Sequence, residues 1–206
     1  MAQELYTIGY SGYPDVEDFI SELRKHGIQI LIDVRSSPYS AYYESYNKES
    51  LTRKLRENGI YYANFARQFG ARQEDSVFYK NGRLDFEEFA KSSQFLEGVR
   101  AVENSNAVIA FMCAEKDPSV CHRSILVARA FHDRGYKVLH IIPGSDSVIT
   151  HTELEEKLVD EYLHKTKQNP DQIDFFAPEK SREDYIREAY QDRNDEIGFK
   201  PEDLTA

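Results

Sequence analysis

Both cysteines of the chain fall in one stretch, FMCAEKDPSVCHRS, at residues 111–124, which opens on the last two residues of the apolar run AVIAFM. Two thiols, two acids and a His-Arg pair so close together could supply a nucleophile, a proton carrier and an anion site. Cys121 is the sharper candidate. The Asp117-Pro118 pair reads as a helix N-cap and first-turn signal, which places Cys121 in the first or second turn of the following helix. Unpaired N–H groups and the helix dipole stabilise an anion there and lower a thiol's pKa. His122 and Arg123 add positive charge, so the bound anion could equally be a phosphate-like group. Cys113, at the end of a buried strand, fits packing as a small hydrophobe as well as it fits chemistry. Glu115 is placed with Cys121, His122 and Cys113 as a candidate catalytic group.

A second polar stretch, IDVRSSPYS, supplies Asp33 and Arg35 on one side of a strand by period-two alternation. They form either a ligand-facing pair or an internal ion pair that braces the loop, because an unpaired charge at an apolar strand end is costly to bury. Gly9 and Ser11 of GYSG could bring backbone close to a phosphate or form a tight turn, and Arg72, with Arg67, could contact an anion or lie on a solvated face. The ligand-binding candidates are therefore Arg35, Asp33, Arg123, Ser11, Gly9 and Arg72. His26, His132 and His140 read as structural. No cofactor motif is present, and two cysteines outside a CxxC spacing predict neither a disulfide framework nor a metal site.

The elements that must hold these residues follow from apolar periodicity. Strands are predicted at residues 4–11, 28–35, 60–65, 107–113 and 136–143. Between them lie helices at 14–27, with Asp15 as cap and Gly27 as stop, at 48–58, capped by Asn47 and ended by Gly59, at 84–103, opened by Asp85 and Glu88 at capping-box spacing, and at 119–135, stopped by Gly135. This alternation implies an α/β fold with an open, mainly parallel five-stranded sheet flanked by helices. Its strand-to-helix loops share the edge where such sheets bind ligands. After Pro143 the pattern changes: residues 151–165 and 182–197 read as helices joined by a connector at 168–181, with Phe175 and Phe176 packing the segment onto the core. Residues 1–143 are thus an α/β core domain and 144–206 an acidic helical C-terminal extension.

The 206 residues carry a formal charge of −10. Residues 151–206 account for −8 of it, with 8 basic and 16 acidic side chains. That balance disfavours general nucleic-acid binding while leaving room for a local basic pocket and a small anionic or nucleotide-like ligand. The longest apolar run, residues 107–114, is far short of the ~20 residues a membrane span needs. The N-terminal sequence lacks the basic-then-apolar pattern of a signal peptide, so the expectation is a cytoplasmic protein.

TIGYSG, LIDVRSSPYS, GIYYANFARQFGAR, MCAEKDPSVCHRSILVARAF and GYKVLHI, in this order over residues 7–143, resemble the domain of unknown function family 488. The resemblance carries motif status to Gly9, Ser11, Asp33, Arg35, Pro38, Ser40, Gly70, Arg72, Cys113, Glu115, Pro118, Cys121, His122 and Arg123. It departs at Tyr10, where the family commonly has His. The layout is also similar to that of rhodanese sulfurtransferases, which use a loop cysteine whose surrounding N–H groups cradle a persulfide. Three functions are consistent with these residues: an enzyme acting on an anionic substrate, a phosphate-recognising module using Arg35, Arg67, Arg72 and Arg123, and a redox switch in which Cys113 and Cys121 pair.

Overall fold

The computed structural model describes residues 3–145, 147–168 and 180–201; Phe175 and Phe176 lie outside them. The elements in chain order are β1 Glu4–Gly9, α1 Val16–Lys25, β2 Ile30–Asp33, α2 Lys48–Glu57, β3 Tyr61–Asn64 and α3 Ala66–Phe69. They continue with β4 Tyr79–Lys80, β5 Arg83–Leu84, α4 Phe86–Ala90, α5 Ser93–Glu103 and β6 Ile109–Cys113. A π-helical stretch Arg123–Ala128 then runs into α6 Arg129–His132, followed by β7 Lys137–Ile141, β8 Val148–Thr150, α7 His151–Thr166 and α8 Arg182–Ile197. No helix among the described residues is long and apolar enough to cross a membrane.

The main sheet has the order β3-β2-β6-β1-β7-β8 and is parallel except for β8. Among the described residues it therefore has six strands rather than five. The sixth, Val148–Thr150, is too short and too mixed in polarity to show a strand period, and it lies in the segment expected to be helical. β4 and β5 form a separate antiparallel hairpin, turned by Asn81 and Gly82, both at positive φ.

Alternation along the strands divides the core. Leu31, Ala110 and Met112 face Phe19, Leu23, Leu51 and Leu55 of α1 and α2. Ile32, Ile109, Phe111 and Cys113 face Phe95, Val99, Phe131, Leu154, Leu158 and Tyr190 of α5 to α8. Burial on both sides is what the near-continuous apolar strands require.

Asp15 caps α1 by accepting from Glu17 N at 2.9 Å. Asn47 occupies the N-cap of α2, but its Oδ1 accepts from Ser40 N at 2.7 Å instead of capping the helix. The helix expected over residues 84–103 is two: Asp85 caps α4 by accepting from Glu88 N, and Ser92 opens α5 by accepting from Phe95 N at 3.1 Å.

Candidate functional site

β1 and β6 are neighbours, yet the chain leaves β1 toward α1 on one face and leaves β6 toward α6 on the other. Such a switch point is where open α/β sheets form a ligand crevice. Here the two loops touch: Ser11 N donates to Ala114 O at 3.0 Å. A Cβ on Gly9 would sit 1.9 Å from the Glu115 carbonyl oxygen. The physical demand on Gly9 is thus close approach of the cysteine loop, and Ser11 joins that loop through its backbone.

Cys113 ends β6, and Cys121, in extended conformation, precedes the helix instead of lying within its first turns. Its carbonyl accepts from Ser124 N and Ile125 N at 2.9 and 3.1 Å. Both thiols are buried and unpaired by a disulfide. They converge on one carboxylate oxygen: Glu115 Oε2 lies 3.1 Å from Cys113 Sγ and 2.9 Å from Cys121 Sγ. Glu115 itself is at the surface with that oxygen turned inward. His122 Nδ1 is 3.7 Å from Cys113 Sγ, and its Nε2 donates to Val34 O at 2.9 Å. Donor atoms of Cys113, Cys121 and His122 all lie within 4.8 Å of one another, a spacing a metal ion could use although no metal site was expected from sequence.

Arg123 is fully buried beneath this cluster. Its Nη1 donates to Glu115 O, its Nη2 to Lys116 O at 3.3 Å and its Nε to Thr7 Oγ1 at 3.4 Å. It holds the loop by its carbonyls and acts on the thiols through its field. Burial resists ionisation of Cys121, but the Cys113 hydrogen bond and the charges of Arg123 and His122 bring that thiol well below its ordinary range. Cys113, hydrogen-bonded to Cys121 and buried, moves up. Burial and the neighbouring Cys121 raise Glu115. Against burial, the Cys121 hydrogen bond and charge raise His122. The two shifts are opposite in sense across a 2.9 Å contact: Cys121 gives up its proton more readily, and Glu115 holds one more strongly. The N–H groups of Ser119, Cys121, Ser124 and Ile125 are engaged by Asp117, Pro118 and Cys121, so a rhodanese-like cradle does not form from them.

Asp33 and Arg35 do not face the cysteines. They lie on the other side of the sheet, because Val34, whose N donates to Met112 O at 3.0 Å, shares a face with Cys113 and Cys121. The pair is an internal brace: Arg35 Nη2 donates to Asp33 Oδ2 at 2.6 Å and to Tyr46 O at 2.8 Å, and Tyr62 OH donates to Asp33 Oδ2 at 2.7 Å. Arg35 also stacks over the Tyr10 ring at 5.0 Å, and its buried Nη1 lacks a hydrogen-bond partner among the described residues. The brace reaches the site through the Val34 carbonyl that fixes His122 and through Tyr10, which lies between Gly9 and Ser11. Arg67 pairs with Glu97 at 2.6 Å and the Arg72 guanidinium lies 4.8 Å over the Phe199 ring. The four arginines considered as a phosphate surface are thus not gathered on one.

Sequence reasoning missed a buried polar chain behind Arg123. Thr7 Oγ1 meets His140 Nδ1 at 2.8 Å, His140 Nε2 meets His151 Nδ1 at 3.0 Å, and His151 Nε2 meets Tyr190 OH at 2.8 Å. Tyr190 OH donates to Glu155 Oε1 at 3.0 Å, and His132 Nε2 lies 3.5 Å from Glu155 Oε2. Arg123 can only donate, and Tyr190 gives its single hydroxyl proton to Glu155, so Tyr190 accepts from His151 and every intervening hydrogen bond runs the same way. His140 and His151 are accordingly neutral with the proton on Nε2. Burial, with Arg123 next, pulls His140 down to about 3, and burial with His140 takes His151 well below its usual value. The one available signal was a lone His inside the apolar strand KVLHI.

A family model described as Domain of unknown function DUF488 matches residues 15–130, more than half of the chain. No curated protein and no solved structure matched.

Proposed function

We propose that this chain, which belongs to the DUF488 family, is an enzyme whose centre is the Cys113, Cys121, His122 and Glu115 cluster at the β1–β6 switch point. The observation that carries the reading is the convergence of two thiols on one carboxylate oxygen directly above a buried guanidinium. Cys121 is the nucleophile. Its thiolate forms a bond to an electrophilic centre while the bond to the leaving group breaks, and the leaving group takes the proton held by Glu115. Water then bonds to the covalently held group as its bond to Cys121 Sγ breaks, and the proton that water loses returns to Glu115, restoring the thiolate. The field of the buried Arg123 favours a substrate bearing an anionic group beside the reacting atom. Access is past Glu115, the surface member of the cluster. Asp33 and Arg35 serve as positioning residues through Val34 and His122.

Alkylation of the metal-free protein tests this. Iodoacetate, being anionic, should modify Cys121 faster than iodoacetamide does once each is normalised to a free thiol, and Cys113→Ser should retain the preference. Reaction of both cysteines only above about pH 8.5, the behaviour of unperturbed thiols, would overturn the assignment. The shared carboxylate oxygen also favours a second reading, a redox pair: peroxide would take two hydrogens from Cys113 and Cys121 to give a disulfide and water. Intact mass after mild peroxide should then fall by two hydrogens.

A further inference from the structure

We propose that Cys113 Sγ, Cys121 Sγ, His122 Nδ1 and Glu115 Oε2 form a binding site for a thiophilic divalent cation of the zinc class. The proposal goes beyond the thiol reading and does not depend on it. Three donors are buried, fixed by the end of a central strand and the start of a buried helix, and mutually within 4.8 Å. A tetrahedral zinc-like ion with bond lengths of ~2.0–2.3 Å needs ligand atoms ~3.3–3.8 Å apart. The separation of 3.7 Å between Cys113 Sγ and His122 Nδ1 already meets this. Glu115 Oε2, at 2.9 and 3.1 Å from the sulfurs, lies outside that mutually close group, so its side chain has to swing toward His122 to complete the tetrahedron, which its exposed stem allows.

Two further features support the site. His122 donates Nε2–H to the Val34 carbonyl, which leaves the Nδ1 lone pair directed at the sulfurs. This is the outer-shell arrangement that orients an imidazole ligand. The second is charge. Two thiolates, one carboxylate, a neutral imidazole and a dication sum to −1, which the buried Arg123 neutralises. Without metal, a thiol at Cys113 and one proton shared between Cys121 and Glu115 leave a single negative charge, which Arg123 again neutralises. Binding is therefore an exchange of one dication for two protons that leaves the buried region neutral, so neither state strands a charge in the core. Two thiolates and an imidazole select zinc-like ions over magnesium or calcium. With three fixed ligands and one movable carboxylate, the metal-loaded state has a single exchangeable position, and its thiolates are no longer free nucleophiles.

Cobalt(II) titration of the chelator-treated, reduced full-length protein tests the proposal. Expected are one ion per chain, a sulfur-to-cobalt charge-transfer band, release of two protons per ion, and protection of both cysteines from alkylation. Cys113→Ser and Cys121→Ser should each diminish the band. Glu115→Gln, a surface change that leaves the fold intact, should retain the band with affinity reduced at least ~10-fold. Absence of the band at saturating cobalt, or a full band in both cysteine variants, overturns the site. Unchanged affinity in Glu115→Gln overturns the four-ligand assignment. Alkylation of the metal-free protein reports separately on the thiol reading, so either proposal can fail alone.

Discussion

The one-way hydrogen-bond chain makes a quantitative demand on acid stability, sharpest at His140. Its imidazole faces Thr7 from β1, Ser124 and Arg123 from the π-helical stretch, and His151 from α7, with His132 also contributing positive field. In the folded chain it stays neutral down to about pH 3, against an ordinary value of 6.5. An unfolded chain takes up that proton first, so stability is fully present above pH 6.5 and is lost as pH falls toward 3. One proton difference gives about 1.4 kcal/mol per pH unit. Between about pH 6.5 and pH 4.5, allowing for the half-titrated starting point, His140 alone removes roughly 2 kcal/mol. Urea unfolding of wild type and His140→Gln across this range isolates the contribution, because the carboxylates titrate in both. The difference in unfolding free energy between the two should shrink by that amount on acidification. A constant difference would mean that His140 protonates in the native state at ordinary pH, and the directional chain from Arg123 to Glu155 would be wrong. Nitrogen-15 spectra should independently show His140 and His151 as the Nε2–H tautomer.

Other perturbations test the remaining contacts. Asp33→Asn leaves the buried Arg35 without its counter-charge and should cost ~3–5 kcal/mol by denaturant unfolding, the cost of removing one partner of a buried pair; a loss below 1 kcal/mol would show the brace to be dispensable. Tyr190→Phe keeps the ring under Arg129, at 3.9 Å, but strands His151 Nε2–H and one Glu155 oxygen, an expected loss of ~1–3 kcal/mol. Gly9→Ala drives a methyl into the Glu115 carbonyl and the Lys116 Cα, so it should destabilise by ~1–3 kcal/mol and alter the alkylation rate of Cys121. An unchanged rate would show that the loop yields without disturbing the thiols.

The five long strands and the α1, α7 and α8 helices were legible because they obey local rules: continuous apolar runs, Asp15 as a cap, a Gly at positive φ after the last turn. The α4–α5 break and the short β8 were not. Ser92 reads as an ordinary helix residue until its hydroxyl is seen capping Phe95, and β8 is a strand because β7 offers it an edge. Neither fact is local in sequence. The site divides the same way. Cys113, Glu115, Cys121 and His122 are close along the chain and their grouping was visible. The side of the sheet on which Asp33 and Arg35 lie depends on the register with β6, which pairs Asp33 with Met112 and so sets the pair opposite Cys113.

The fold likewise determines what Arg123 can do. Placed by sequence beside the thiols, it looked like an anion-binding cation; placed by the fold, all three of its nitrogens are occupied by Thr7 and the carbonyls of Glu115 and Lys116. A guanidinium held in this way cannot grip a substrate, but it fixes the loop that carries Glu115 and supplies the positive field under Cys121. Its Nε contact continues through Thr7, His140 and His151 to Tyr190 of α8 and Glu155 of α7. Removal of α7 and α8 would therefore do more than expose an apolar face: it would leave His140 and Thr7 without the acceptor end of their chain. The two C-terminal helices are part of what holds the cysteine loop in place, even though the residues that could do chemistry all precede them.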